Sequence, residues 1–299
     1  MSAWSTLRMM THMALDGLSR QSLPRVPEGE LVMAGTVQVD AYAASGDAAG
    51  PLAPIQLFLA VHAGVAMPAE GVVLDMACGP CTQLIRVARL HPHVHFIGMD
   101  ASAGMLAQAA LAIRAAGVDN ITLQSGDMCT LAFLADASVD AVMCTMSLHH
   151  LADTEALQAT LRAAARVLKP GGGVYLADFG RLRRMATIDF LVHDREAEQS
   201  PQFTADFLSS MRAAFSVAEL RAAVSALGAS VALHQTALAP FILLFQRALQ
   251  AQPDAVTIRE AQAQFRALAA HHQSDFKALS NWFSASGLPL PYAIDAAGA

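Results

Sequence analysis

The sequence has little positive charge and no long apolar run, and these shortages exclude several classes of protein. Only two of its 299 residues are lysine, the formal net charge is −6, and the arginines are scattered. A nucleic-acid-binding protein needs a basic surface that displaces counterions from phosphates, so no nucleic-acid partner is expected. No stretch reaches the roughly 18 consecutive apolar residues of a membrane span, and the opening MSAWSTLRMMTHMALDGLSR lacks the pattern of a secretory signal. A cytoplasmic protein with no membrane partner is therefore expected.

Cysteine is also scarce, with four in the chain, which is too few for a disulfide scaffold and indicates a reducing compartment. Two of them form the run Cys78-Gly79-Pro80-Cys81. A run of this kind between a strand and a helix is typical of dithiol oxidoreductases, and it could also be half of a zinc site. The chain extends far beyond a thioredoxin unit, and Cys129 and Cys144 are isolated, so no metal site is predicted. The third interpretation is a loop that binds a ligand.

Short apolar runs alternate with alanine-rich helical patterns from residue 71 onward. The pattern predicts strands over residues 72–77, 94–100, 121–127, 140–146 and 173–179, with helices between most of them. Strands that alternate with helices form right-handed crossovers. The expected fold class is α/β, a Rossmann-like, doubly wound and mostly parallel sheet. A helix over 216–228 opens on a capping box of Ser216 and Glu219, and residues 229–248 suggest a closing antiparallel strand pair.

Three segments are expected along the chain. Residues 1–66 contain loops and a helix near 52–63, and they predict a helical N-terminal lid. Residues 67–250 form the central domain, within which the mixed-charge stretch 180–215 is an insertion that caps the substrate. Residues 251–299 form a helical tail outside the alternation, which either packs on the domain or mediates a homodimer.

The residues that follow the first three strands favour the ligand interpretation of the CGPC run. Asp75 ends the first strand, and Ala77, Gly79 and Cys81 are small residues at alternate positions before a helix whose N–H groups face a ligand. Asp100 ends the second strand, where a carboxylate can accept hydrogen bonds from both hydroxyls of a ribose. Three further residues suit an adenine: the Asp127 carboxylate, the Met128 main-chain N–H and the Met105 side chain.

The run VVLDMACGPCTQL … FIGMDAS … LQSGDM … VDAVMCTMSLHHL … ARVLKPGGGVYLADF resembles the class I S-adenosylmethionine-dependent methyltransferases. The resemblance covers about residues 70–180 by motif. The family's first motif is an acid followed by three glycines at alternate positions, and only Gly79 remains here, with Ala77 and Cys81 in the outer positions. A dinucleotide dehydrogenase also needs an acid about 20 residues on, but it predicts neither LHHL nor LKPGG.

The resemblance implies a cofactor, S-adenosyl-L-methionine, and a methyl transfer to a small, apolar or aromatic molecule at O, N, C or S. It places Cys78 and Cys81 beside the amino-acid end of the cofactor. Its implied cofactor contacts are Asp75, Ala77, Cys78, Gly79, Cys81, Asp100, Ala101, Met105, Asp127, Met128, Cys144 and Thr145.

The segment after the fourth strand offers His149 or His150 as a general base, since imidazole titrates near neutral pH. The alternative is that one of them only packs or caps the next helix. Expected substrate contacts are Tyr42, Asp178, Phe203 and Phe207. Two other functions stay open: a non-catalytic adenosyl-binding protein of the same fold, and a dithiol oxidoreductase.

Overall fold

A seven-stranded sheet forms the centre of the molecule in a computed structural model that describes residues 3–20, 22–29, 45–46, 50–249 and 253–295. The strand order is β3-β2-β1-β4-β5-β7-β6. Strands β1 to β5 run parallel, and β7 runs antiparallel to both of its neighbours. The strand bounds are β1 Gly71–Asp75, β2 Val94–Asp100, β3 Ile121–Ser125, β4 Val139–Thr145, β5 Leu168–Phe179, β6 Ala232–Gln235 and β7 Ile242–Arg247. The α/β class predicted from the alternating pattern is confirmed.

Helices cover both faces of this sheet, which is why its strands consist of nearly continuous apolar residues. Their bounds are α1 Ala3–Leu18, α2 Ala53–Ala63, α3 Thr82–Leu90, α4 Ala103–Ala116, α5 Thr154–Val167, α6 Met185–His193, α7 Pro201–Ala213, α8 Val217–Val224, α9 Ala255–Ala267 and α10 Ala270–Ser284. One core lies between the sheet and α2, α3 and the tail, and a second lies between the sheet and α5 and α8. The capping box of Ser216 and Glu219 is present at the start of α8.

The sequence did not locate the individual helices of two segments. The N-terminal lid, expected to be helical, contains α1 in addition to α2, and the expected mixed-charge insertion contains α6 and α7. Tertiary contacts stabilise these helices: the buried Asp16 carboxylate of α1 accepts hydrogen bonds from the main-chain N–H groups of Arg183 and Arg184 at the start of α6, at 3.0 and 2.9 Å. Local pattern could not reveal them, because the partners lie more than 160 residues apart.

The tail is helical, as predicted, and packs on its own chain. The Phe58 ring of α2 stacks on Phe283 of α10 at 5.0 Å and meets Phe276 edge-on at 6.2 Å. The domain limits at 66 and 250 and the homodimer stay predictions. Within the described ranges, every helix is too short or too polar to reach across a lipid bilayer.

Candidate active site

A cavity of about 350 Å³ opens at the carboxyl ends of β1 to β4. Parallel strands present the loops that follow them along one edge of the sheet, so residues far apart in sequence converge there. Nine of the twelve predicted cofactor contacts line this cavity: Ala77, Cys78, Gly79, Asp100, Ala101, Met105, Asp127, Met128 and Thr145.

The loop between β1 and α3 turns twice through left-handed backbone. Gly79 has a φ of 52° and Cys81 a φ of 62°. The main-chain N–H of Cys78 donates to the Met99 carbonyl at 2.8 Å, and the N–H of Gly79 donates to the Asp100 carboxylate at 2.9 Å. Cys81 occupies the position of the last glycine in the methyltransferase motif. Its φ is positive, and glycine adopts this conformation most easily.

The two thiols of this loop are buried and unpaired by any disulfide. Cys78 is 6% exposed and Cys81 is 0% exposed. A hydrogen bond to Cys81 and burial together raise the pKa of Cys78 above its ordinary value. A catalytic dithiol needs an accessible thiol with a lowered pKa. The arrangement is therefore that of packed loop residues, with Cys78 seated against Gly98 of β2, where an added Cβ would lie 3.1 Å from the sulfur.

The two acids predicted to contact a nucleoside are held in fixed positions by main-chain donors. Asp100 accepts from Gly79 through one oxygen and from the N–H of Ser102 at 2.8 Å through the other. Asp127 accepts from the N–H of Cys129 at 2.8 Å. Because a carboxylate oxygen has two lone pairs, each acid keeps the capacity to accept further hydrogen bonds from a ligand.

Asp75, Cys81 and Cys144 lie beneath the cavity and do not line it. Cys81 packs in the core on the α2 and α3 side of the sheet, Cys144 packs in the core on the α5 and α8 side, and Asp75 is 1% exposed at the end of β1. Burial, together with the nearby Asp100 charge, raises the pKa of Asp75 to about 8. The Oδ1 atom of Asp75 has no hydrogen-bond partner. One oxygen of this buried carboxyl group therefore lacks a partner among the described residues, while the main chain of Ala77 hydrogen-bonds to the group.

A second cavity of about 310 Å³ adjoins the first. Its walls come from α2, α6, α7, α10 and the ends of β4 and β5, and they include the predicted Phe203 and Phe207. Tyr42 lies outside the described residues. Five residues line both cavities and mark where they meet: Gln56, Gln83, Thr145, Met146 and His150.

The two predicted histidines stand at this meeting point, each paired with a carboxylate. Their rings lie 4.2 Å apart. His149 is buried and its Nδ1 lies 2.6 Å from Asp178 Oδ1, while Nδ1 of His150 is hydrogen-bonded to Glu28. The structure places Asp178 behind His149 and not in the cavity wall. Burial lowers the pKa of His149, but the Asp178 carboxylate outweighs this effect and raises the pKa above its ordinary value.

Glu28, Gln56 and Trp282 are site residues that the sequence did not reveal. Glu28 comes from the segment 22–29 and contacts a residue 122 positions away, so no local pattern could indicate it. The Gln56 amide donates to Thr82 Oγ1 at 3.0 Å, and a single amide inside the apolar helix α2 was an available signal. Ligand atoms of Glu28, His149 and His150 all lie within 4.8 Å of one another, a spacing that could also hold a metal ion.

Residues 73–172 match a family model described as a methyltransferase domain. The chain is 29% identical over 153 residues to the uncharacterized methyltransferase YcgJ of Bacillus subtilis (strain 168), covering 51% of this chain and 58% of that protein. It is 36% identical over 107 residues to a demethylmenaquinone methyltransferase of Corynebacterium efficiens, covering 36% of this chain and 41% of that protein. The chain thus spans about half the length of these relatives.

The fold is similar to that of solved methyltransferases. A crystal structure of an S-adenosylmethionine-dependent methyltransferase from Aquifex aeolicus superimposes with a TM-score of 0.50 at 14% identity, covering 71% of this chain and 97% of that one. At this identity the likeness concerns the fold alone. For residues 73–172, the domain match confirms the resemblance drawn from the motifs, which implies S-adenosylmethionine as the cofactor.

Proposed function

Because residues 73–172 form a methyltransferase domain of class I, we propose that this chain transfers a methyl group from S-adenosyl-L-methionine to a small, apolar or aromatic molecule. One observation carries the proposal. The cavity at the ends of β1 to β4, which the carboxylates of Asp100 and Asp127 line, meets the second, mainly apolar cavity, and five residues belong to both walls. Methyl transfer needs such a meeting point, since its donor and acceptor must be aligned in line.

The chain's residues fit this cofactor at both ends of the first cavity. The Asp100 carboxylate would accept hydrogen bonds from the ribose hydroxyls. The Asp127 carboxylate would accept one from the adenine amino group, and the Met105 side chain would pack on the adenine ring. At the other end, the unsatisfied Oδ1 of Asp75 lies under the loop, where a cationic amino group above it would favour the carboxylate form. When bound, the cofactor supplies a methyl group on a positively charged sulfur.

His150 is proposed as the general base, since it lines both cavities. Its Nδ1–H donates to the Glu28 carboxylate, which leaves the lone pair on Nε2 to accept a proton from an acceptor hydroxyl, amine or thiol. Glu28 also accepts from Ser210 Oγ at 2.9 Å, which fixes the carboxylate. His149, paired with Asp178, packs on the His150 ring and is the alternative base.

The test is calorimetric titration with S-adenosylhomocysteine, which needs no knowledge of the acceptor. The wild type should bind it, and Asp100→Ala should weaken binding by roughly 1–3 kcal/mol, because two main-chain donors and the ligand lose a shared acceptor. Asp119→Ala is the matched control, since Asp119 is an exposed acid that lines neither cavity. Absence of binding in the wild type would remove the proposal.

The motif retains only one of its three glycines, and this favours one alternative function: a protein that binds the adenosyl ligand without turnover. Incubation with methyl-labelled S-adenosylmethionine and a small-molecule extract separates the two. Transfer of label to an organic-soluble product supports the enzyme. Tight binding of S-adenosylhomocysteine with no transfer to any fraction would favour the rival.

A further inference from the structure

Helix α10 of the C-terminal tail packs on α2 with one face and lines the second cavity with another. Phe276 and Phe283 are buried against Phe58 of α2. The other face carries Asp275, Ala278, Leu279 and Trp282, and these four residues line the apolar cavity. Their spacing of three, four and seven residues places them along one side of a helix. The tail therefore forms one wall of the second cavity, which the methyl acceptor would occupy, and it also packs against the rest of the chain.

Contacts at both ends hold this wall in place. The Trp282 carbonyl accepts from the N–H of Ala237 at 3.4 Å, and Ser286 donates to the carbonyl of Gln235 at the end of β6. At the other end, the Arg195 guanidinium pairs with Asp275 of α10 and, at 2.6 Å, with Glu198. The wall is thus attached both to the sheet and to the segment that joins α6 to α7.

Several of the side chains that line the cavity with this wall are aromatic. Phe179 lies 5.6 Å from Phe207 and is stacked on Phe241 at 5.8 Å with an interplanar angle of 25°. Trp282 packs against the same cluster as Phe179. Indole and phenyl faces favour a flat aromatic guest over a saturated one of equal size, because ring pairs add a quadrupole interaction to the area they bury.

We propose that the C-terminal tail is the specificity element of the acceptor site, and that Trp282 selects a planar aromatic acceptor. The acceptor packs its ring on Trp282 and the phenylalanine cluster and directs its reacting group to His150. This inference rests on the proposed function, since it identifies the acceptor class of the same site. It assigns a role to residues outside the methyltransferase domain match, which ends at residue 172.

The experiment compares 2-naphthol with 2-decalol, its saturated counterpart, by calorimetric titration in saturating S-adenosylhomocysteine. The wild type should bind 2-naphthol about two- to tenfold more tightly than 2-decalol. Trp282→Leu should abolish this preference while S-adenosylhomocysteine still binds. Asn281→Ala is the matched control, because Asn281 is the exposed neighbour on the same helix.

A second variant covers the case in which Trp282→Leu fails to fold. Leu279→Trp fills the cavity from the same face of α10 and should prevent binding of both probes without affecting S-adenosylhomocysteine. Equal affinities for the two probes in the wild type, or an unchanged preference in Trp282→Leu, would overturn the inference and leave the methyltransferase proposal intact. Loss of S-adenosylhomocysteine binding in the wild type would instead overturn the function on which it rests.

Discussion

Cys81 shows how a departure from a motif can keep the geometry that the motif encodes. A residue with a side chain in left-handed backbone costs roughly 1–2 kcal/mol relative to glycine. Cys81 adopts this conformation with a φ of 62° at the start of α3 and is completely buried. Packing of the thiol therefore offsets backbone strain, and the loop keeps its path with one glycine of three.

The balance between backbone strain and thiol packing predicts different results for two substitutions at Cys81. Cys81→Gly and Cys81→Ala both remove the thiol, but only glycine relieves the strain, so Cys81→Gly should be the more stable by about 1 kcal/mol. Urea denaturation of the two variants measures the difference. At Cys78, whose φ is not positive, the order should reverse. Equal stabilities of the two Cys81 variants would contradict the strain argument.

Single residues were predictable from sequence where strand position determines their placement. Asp100 and Asp127 follow β2 and β3, and the parallel sheet brings the ends of both strands to one cavity. Asp75 was expected to contact the ligand, yet its side chain lies below the loop, because a pattern shows where a strand ends but not which layer its last side chain enters. Glu28 depends on a distant contact and had no local signal.

At the scale of elements, the segment 22–29 is attached to the site by Arg25. Its guanidinium donates to the main-chain carbonyls of Ala213 at 2.7 Å and His149 at 2.9 Å, and also to those of Leu151 and Ala152. The same group stacks on the Phe215 ring at 4.0 Å. A planar fork can satisfy several acceptors at once, which the single ammonium of lysine cannot do.

Arg25→Lys should therefore release this segment while preserving the charge. We expect a loss of roughly 2–4 kcal/mol in unfolding free energy, because several buried carbonyls lose a charged donor. Hydrogen exchange should rise over 22–29 and 147–152 and remain unchanged in β1. Arg20→Lys, at an exposed position of the same region, should show neither effect. Unaltered exchange over 22–29 in Arg25→Lys would show that other contacts hold the segment.

Strands with both faces buried were among the elements that sequence could predict. The five parallel strands are short apolar runs, and their positions were predicted to within a few residues, except that β5 begins at Leu168, before Pro170 and the glycines. In contrast, α1, α6 and α7 carry mixed faces and gain their order from one another. Of these, α6 and α7 make up most of the segment 180–215, whose role as a cap over the substrate stays a prediction.

At the scale of the whole molecule, the buried Asp75 makes stability depend on pH. Its pKa is raised from an ordinary value of 3.8 to about 8. A group with a raised folded-state pKa contributes stability that is fully present below the unfolded-state pKa and is lost as pH rises to the folded-state value. Stability contributed by Asp75 should therefore fall between about pH 4 and pH 8 in the absence of ligand.

Asp75→Asn removes this dependence. The difference in unfolding free energy between wild type and Asp75→Asn should change by about 1.4 kcal/mol per pH unit between pH 5 and pH 7, in the direction that disfavours the wild type. Urea denaturation at each pH measures it, and the exposed Asp119→Asn corrects for global charge. Parallel curves for wild type and Asp75→Asn would show that the carboxyl group is ionised throughout.

The two cavities draw on different stretches of the chain, and this has a consequence during synthesis. The first cavity is lined by residues up to Ala156, whereas the second cavity is complete only when Trp282 has been synthesised. A nascent chain leaving the ribosome at the usual rate exposes the second stretch on the order of ten seconds after the first. Throughout that interval Phe58 and the rings around Phe179 lack the cover that α10 provides, so these apolar surfaces are open to chaperones before the second cavity is complete.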